Sequence, residues 1–285
     1  MLKQRVITAL VLLLILLPAL FSRSPVPFAV IAMLLIAAGA WEWARLNGYA
    51  QAASLLAGLV CVVVCAVTWW LGMLEQAQPL LWTLAGAAWV LGGAWVLHRG
   101  GAAWSGVPRA LRLVSGLLAL WLAWLAVAQA RVIGVNFLLS ILVLVWVADI
   151  FAYFAGRTFG GRFSRSKLAP SISPGKSWEG VWGGMVGVVG LAFAWRWIDA
   201  AWGITVPSFY TYLGRQGVWF LLIALVFMAA MSVVGDLFES LVKRSAGVKD
   251  SSALLPGHGG VLDRVDALLP TLPLAMMLYS LLKPG

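Results

Sequence analysis

Four of the ten acidic residues in this 285-residue chain fall in two tight pairs. Asp236 and Glu239 are three apart, so on a helix they share one face. Asp263 and Asp266 are again three apart. Between the pairs lie Lys243, Arg244, Lys249, Asp250 and the run Pro256-Gly-His-Gly-Gly260. Clustered carboxylate oxygens select a hard cation such as Mg²⁺, which usually takes substrate phosphates as well. Gly257, Gly259 and Gly260 let backbone N–H groups approach an anion closely, and His258 could donate to a phosphate or a leaving group. Acids, Lys/Arg and Gly-rich backbone together suit phosphoryl or nucleotidyl transfer. Blander readings compete. Lys243 can simply pair with Glu239, four residues away. Asp263 and Asp266 can cap a helix start. Asp236 and Glu239 are expected at the C-terminal end of their helix, where the dipole disfavours acids unless cations hold them.

Two further stretches carry polar groups. In DIFAYFAGRTFG, Asp149 to Gly160, Asp149 stands inside an apolar run and needs a partner. Arg157 is the bland partner; the sharper reading makes Asp149 the wall of a site. In SPGKSWEG, Ser173 to Gly180, Pro174 and Gly175 exclude a simple helix. Ser173, Lys176 and Ser177 then precede a new helix, where backbone N–H groups and a Lys make an anion site. Other chemistries lack their parts. Pro170 stands where a Walker A loop needs its first Gly. There is no plausible G-x-S-x-G elbow and no Cys/His zinc cluster. Cys61 and Cys65 sit four apart in an apolar run and read as packing.

The elements that position these residues follow from composition. Residues of the set AVILMFWYC make up 62% and charged residues 11%, against about 25% charged in soluble domains. That excludes a soluble core and excludes disorder. Nine apolar spans are expected, near 6–22, 27–45, 52–74, 79–97, 113–131, 133–155, 181–203, 217–239 and 262–282. The first lacks a following A-x-A site and reads as a retained helix. The fold class is therefore all-α, a polytopic membrane bundle of about nine transmembrane helices. Residues 1–131 form the N-terminal membrane helices, and 132–285 the catalytic helices and loops.

Fifteen of the 20 Lys and Arg fall on the side of the N-terminus and of the loops after spans 2, 4, 6 and 8. The positive-inside rule makes that side cytoplasmic, with the C-terminus outside. The +10 charge then needs no nucleic-acid partner. Most acids gather on the same side, including Glu42 and Glu179; only Glu75 and Asp199 do not. Gly180, Gly183, Gly184 and Gly187 give two interleaved G-x-x-x-G spacings, a packing face that could also serve a dimer.

The stretch from Ser240 to Asp266 reads SLVKRSAGVKDSSALLPGHGGVLDRVD. It resembles the signature of the bacterial phosphatidate cytidylyltransferase (CDP-diacylglycerol synthase) family: S-x-φ-K-R, four residues, K-D, then P-G-H-G-G, then D-R-φ-D, with φ apolar. Every fixed position is met. SPGKSWEG resembles the family's S-P-x-K-T-W-x-G, with Ser177 for the usual Thr. DIFAYFAGRTFG resembles its D-x-x-A-Y-x-x-G-R-x-x-G, with Ile150 and Phe151 where smaller residues are common.

The resemblance implies transfer of CMP from CTP to phosphatidic acid, giving CDP-diacylglycerol and pyrophosphate with Mg²⁺. It also implies a homodimer in the inner membrane, and a cavity open to the cytoplasm and to lipid. By position, the family's metal-binding aspartates map to Asp236 and Asp263, with a second metal or a monovalent cation as an option. Lys249, Asp250, His258, Arg264 and Asp266 are then expected in catalysis. Asp149, Arg157, Ser173, Lys176, Ser177, Ser240, Lys243, Arg244, Gly257, Gly259 and Gly260 are expected to bind substrate. A CTP-dependent lipid kinase would release CDP instead. A CDP-alcohol phosphatidyltransferase needs D-G-x-x-A-R, and the chain has no Asp-Gly. A transporter would carry ionisable residues near the midplane of several helices; spans 3, 4 and 5 have none in their interiors.

Overall fold

The computed structural model describes residues 2–164 and 166–282, with only the backbone of Leu2. Arg165 and Lys283, both counted in the charge balance, lie outside the described residues. Among those described, nine helices are long and apolar enough to cross a membrane. They are α1 (Leu2–Phe21), α2 (Val26–Leu46), α3 (Gln51–Trp70), α4 (Pro79–Gly106), α5 (Arg109–Ile133), α6 (Val135–Phe159), α7 (Trp178–Ala201), α9 (Val218–Ser245) and the Leu262–Leu282 span. The last is broken at Asp266 into α10 (Leu262–Val265) and α11 (Leu268–Leu282). A short α8 (Phe209–Gly214) lies between α7 and α9. The described residues hold no strand, only two isolated bridges, Ala169 to Ser173 and Leu255 to Gly259. The expected all-α membrane bundle is what forms.

Several boundaries differ from the expectation, each for a physical reason. The third helix stops at Trp70 rather than residue 74, where Leu71 to Gln76 turn. The fourth continues to Gly106 across a break at Gly100. The sixth and eighth spans do not stop near their acids. α6 continues to Phe159 and α9 to Ser245, because polar residues extend a helix beyond the apolar layer at no cost. Asp236 and Glu239 therefore stand inside α9. The basic residues Lys243 and Arg244, not the acids, occupy its last turn, where the dipole favours them.

The polar end is positioned by two packing devices. The first joins α6 and α7. A Cβ at Gly180 would come within 2.9 Å of the Ala152 carbonyl. At Gly183 it would meet Ala155 Cβ at 2.2 Å, and at Gly184 the Ala148 carbonyl at 2.8 Å. The G-x-x-x-G face is thus consumed within the chain, against α6, and is not free for a dimer. The second device backs α9. Phe238 stacks on Trp43 with centroids 6.1 Å apart, and meets Trp89 and Trp104 edge-on. Trp43 Nε1 also donates to the Arg112 carbonyl, so α2, α4, α5 and α9 are tied together behind the acids. Cys61 and Cys65 are buried and free, as their packing role requires. α1 packs lightly, and Arg131 holds its far end by donating to the Leu20 and Ser22 carbonyls.

Candidate active site

The site begins where α6, α7 and α9 meet the loop of residues 173–177. They enclose a cavity of about 380 Å³ lined by Asp149, Tyr153, Arg157, Lys176, Ser177 and Asp236, with apolar side chains below. Ser177 caps α7 by accepting from the Gly180 N–H at 3.2 Å. Ser173 sits in the tight turn before it, accepting from the Lys176 N–H at 3.1 Å. That turn aims Lys176 across to α9, where it forms an ion pair with Asp236. Ser240, one turn on, donates to the other oxygen of Asp236 at 3.3 Å. Arg157 donates to Tyr153 rather than to Asp149. The bland Asp149–Arg157 pair is not formed, and Asp149 faces the cavity. Glu179, on the first turn of α7, is consumed locally by the Phe163 and Ser164 N–H groups.

A second cluster lies one turn further along α9. Lys243 forms ion pairs with both Glu239 and Asp263. Glu239 is 2% exposed, and Lys243 is its one polar partner among the described residues, meeting Oε2. The Asp263 carboxylate is heavily held: one oxygen accepts from the Ser251 N–H at 2.9 Å, the Ser251 hydroxyl at 2.8 Å and the Gly260 N–H at 2.8 Å. The two aspartates expected to share an ion are thus in separate pairs, Asp236 on Lys176 and Asp263 on Lys243. Asp266 lies between them and links the clusters. Its backbone packs on α9 one residue from Asp236, and its side chain accepts from the Ala267 N–H at the start of α11. Gly235 permits this closeness, since a Cβ there would come within 2.5 Å of the Asp266 carbonyl.

The Pro256–Gly260 loop differs from an open phosphate cradle in one respect. One of its N–H groups, and two beside it, already bind the protein's own acids. Gly260 donates to Asp263, and Val261 and Leu262 donate to Glu42. Gly259, at φ 81°, turns the chain back to the bridge with Leu255, and any side chain there would strike Asp263. His258 lies in this turn, its Nδ1 buried and without a partner. From outside, α1 clasps the loop: Arg5 Nε donates to the Gly257 carbonyl at 2.9 Å, and Thr8 to the Pro256 carbonyl at 2.9 Å. Arg244, Lys249, Asp250 and Arg264 are exposed, with no ion pair among the described residues.

Sequence reasoning missed Glu42, Ser251, Arg5 and Thr8. Glu42 carried a readable signal, since an acid inside an apolar span demands a partner just as Asp149 does. Arg5 and Thr8 carried none, because nothing local couples residues more than 240 apart.

The donor chemistry bears on a divalent ion. Five carboxylates, Asp149, Asp236, Glu239, Asp263 and Asp266, face two paired lysines, Lys176 and Lys243. Among the described residues no three acidic, His or Cys side chains converge as a closed metal cage would require. An open hard-ion site needs only one or two carboxylates, the remaining positions going to substrate phosphates and water. The excess of acids over lysines fits such a site.

Comparison with known proteins identifies the family. The cytidylyltransferase family profile matches residues 3–282. A phosphatidate cytidylyltransferase of Pseudomonas aeruginosa is 41% identical over 98% of both chains. One of Haemophilus influenzae is 36% identical over 98% of this chain and 99% of its own. One of Thermotoga maritima is 42% identical over 51% of this chain and 49% of its own. With a profile spanning nearly its whole length and full-length relatives of this identity, the chain belongs to the cytidylyltransferase family.

Proposed function

We propose that the protein transfers CMP from CTP to phosphatidic acid, yielding CDP-diacylglycerol and pyrophosphate, in a Mg²⁺-dependent reaction at the charged end of the bundle. An oxygen of the lipid phosphate attacks the α-phosphorus of CTP. The bond from that phosphorus to the α–β bridging oxygen breaks, and pyrophosphate leaves with the bond pair. A phosphomonoester is already ionised near neutral pH, its second pKa being about 6 by analogy with phosphorylated side chains. It needs no general base. The protein's task is positioning and charge neutralisation.

The observation that carries this reading is the pair of Lys–acid clusters on one face of α9, beside a cavity set among membrane helices. Lys176 and Arg157 would meet one phosphate group at the cavity. Lys243, Arg244, Lys249 and Arg264 would hold the triphosphate and the departing pyrophosphate, with His258 donating to the leaving group. Asp236 and Asp263, assisted by Glu239 and Asp266, would hold Mg²⁺. When bound, that ion polarises phosphate oxygens and neutralises developing charge. Lys176 and Lys243 occupy the carboxylates otherwise, so each would swing from its acid to a substrate phosphate. Asp250 would orient Lys249. The charge asymmetry supports a cytoplasmic N-terminus and site in the inner membrane. We also propose a homodimer, whose interface does not use the α7 glycine face.

A turnover assay tests the reading. Purified protein in mixed micelles receives α-labelled CTP, phosphatidic acid and Mg²⁺, with or without chelator. Lipid-extractable label with stoichiometric pyrophosphate, abolished by chelator, is the expected result. Label moving to lipid only from γ-labelled CTP would replace the proposal with a lipid kinase.

A further inference from the structure

Glu42 is wholly buried on α2, yet among the described residues it has no cationic partner. An uncompensated carboxylate in such a place is costly. Three neutral donors offset that cost. Oε1 accepts from the Ser252 hydroxyl at 2.5 Å and the Val261 N–H at 2.9 Å. Oε2 accepts from the Leu262 N–H at 2.8 Å and lies 3.2 Å from the Ser251 hydroxyl. These donors come from both ends of the segment that carries Pro256–Gly260, so one carboxylate closes the loop at its base. The loop makes room for it: a Cβ at Gly260 would come within 2.3 Å of Glu42 Oε1 and 2.1 Å of Ser251 Oγ.

The same contacts reach the reacting end. Ser251 stands between the two acids, its hydroxyl 2.8 Å from Asp263 and its N–H donating to the same Asp263 oxygen. Gly260, packed on Glu42, donates to that oxygen too. Two of the donors that fix Asp263 are thus themselves fixed by Glu42. We infer that Glu42 is a positioning residue: it sets the loop between Ser251 and Leu262, and through Ser251 and Gly260 it sets the Asp263 carboxylate. This rests on the proposed role of that loop in holding the nucleotide.

Glu42→Gln tests it. The amide is isosteric, but its NH₂ faces backbone N–H groups, so two acceptor positions become donors. The expected result is a fall of about tenfold or more in kcat/KM for CTP, the scale of losing hydrogen bonds to a charged acceptor. Hydrogen exchange on the purified protein without substrates supplies a second readout. Amides of Ser251, Gly260, Val261 and Leu262 should exchange faster, while those of α4 and α11 keep wild-type rates. Faster exchange throughout the bundle would mean a merely structural acid and overturn the proposal. So would wild-type kinetics with a loosened loop. Where Glu42→Gln does not fold, Ser251→Ala carries the test: slower turnover with faster Gly260 exchange supports the coupling, and wild-type values for both sink it. Wild-type protein with no CMP transfer at all would instead sink the proposed function, and the exchange readout would be unaffected by that failure.

Discussion

The two ends of the bundle both bury acids, but they treat them differently. At the end away from the site, Asp199 is 7% exposed and is satisfied entirely by neutral donors. Asn136 donates to one oxygen at 2.9 Å; the Ser208 N–H, Ser208 hydroxyl and Thr211 hydroxyl donate to the other at 2.9, 2.6 and 2.6 Å. That network joins α6, α7 and the start of α8. At the charged end, Asp236 pairs with Lys176, Glu239 and Asp263 divide Lys243 between them, and Asp149 and Asp236 line open space. A saturated acid holds helices together. An acid left short of partners awaits a cation. Glu42 and Glu179 are held by neutral donors at the charged end as well, so the contrast with Asp199 is carried by Asp149 and Asp236 at the cavity.

The largest effect should come from removing the cation that two buried acids share. Lys243→Met leaves Glu239 and Asp263 buried and unpaired. Breaking such a pair costs about 3–5 kcal/mol, so the detergent-solubilised protein should unfold at markedly lower temperature and show no turnover. A folded, active Lys243→Met would show that the acids already hold another cation, and the contrast between the two ends would need redrawing.

A matched pair of substitutions sharpens the contrast. Asp236→Asn removes a carboxylate that is 30% exposed at the cavity. It should cost about 10²–10³ in turnover, the scale of losing one strong electrostatic contact in a transition state, with little change in thermal stability. Asp199→Asn should do the reverse. Turning one oxygen into an NH₂ strands donors worth about 1–3 kcal/mol, which lowers the unfolding midpoint, while KM and kcat of the surviving protein stay at wild-type values. Measuring both properties on both variants is decisive. If Asp199→Asn loses turnover at full stability, saturation is no guide to role. Added Mg²⁺ should also raise the wild-type unfolding midpoint, as any ligand of the native state does, and should do so less for Asp236→Asn.

The sequence made the fold legible because length and apolarity decide a membrane helix almost alone. Its misreadings came where a helix outruns its apolar stretch, as α9 does to Ser245. The site was legible as a set of residue types: the pairs Asp236/Glu239 and Asp263/Asp266, Lys176 and the glycine loop do gather at one end. Their pairing was not legible. Nothing local says that Lys176 reaches Asp236 across two helices, or that Gly260 is glycine because Glu42 lies beneath it. The loop glycines were read as an anion cradle, yet at least Gly259 and Gly260 are also required by the protein's own carboxylates.

The smallest effect tests the outermost part of the charged end. α1 touches the loop only from outside, through Arg5 and Thr8, at positions open to water. Exposed hydrogen bonds contribute about 0.5–1.5 kcal/mol each, so Arg5→Ala or Thr8→Val should raise KM for CTP by roughly two- to tenfold and leave the unfolding midpoint unchanged. Arg5→Lys keeps the charge but replaces the guanidinium that donates through Nε, so it separates the hydrogen bond from the positive field. Recovery with Lys would mean that α1 contributes charge near the triphosphate. Failure of Lys to recover it would mean that α1 holds the loop's shape, as Glu42 does from the inside. The two residues would then grip one loop from opposite faces, and the loss in the double variant Glu42→Gln/Arg5→Ala should depart from the sum of the single losses, since both act on the same backbone.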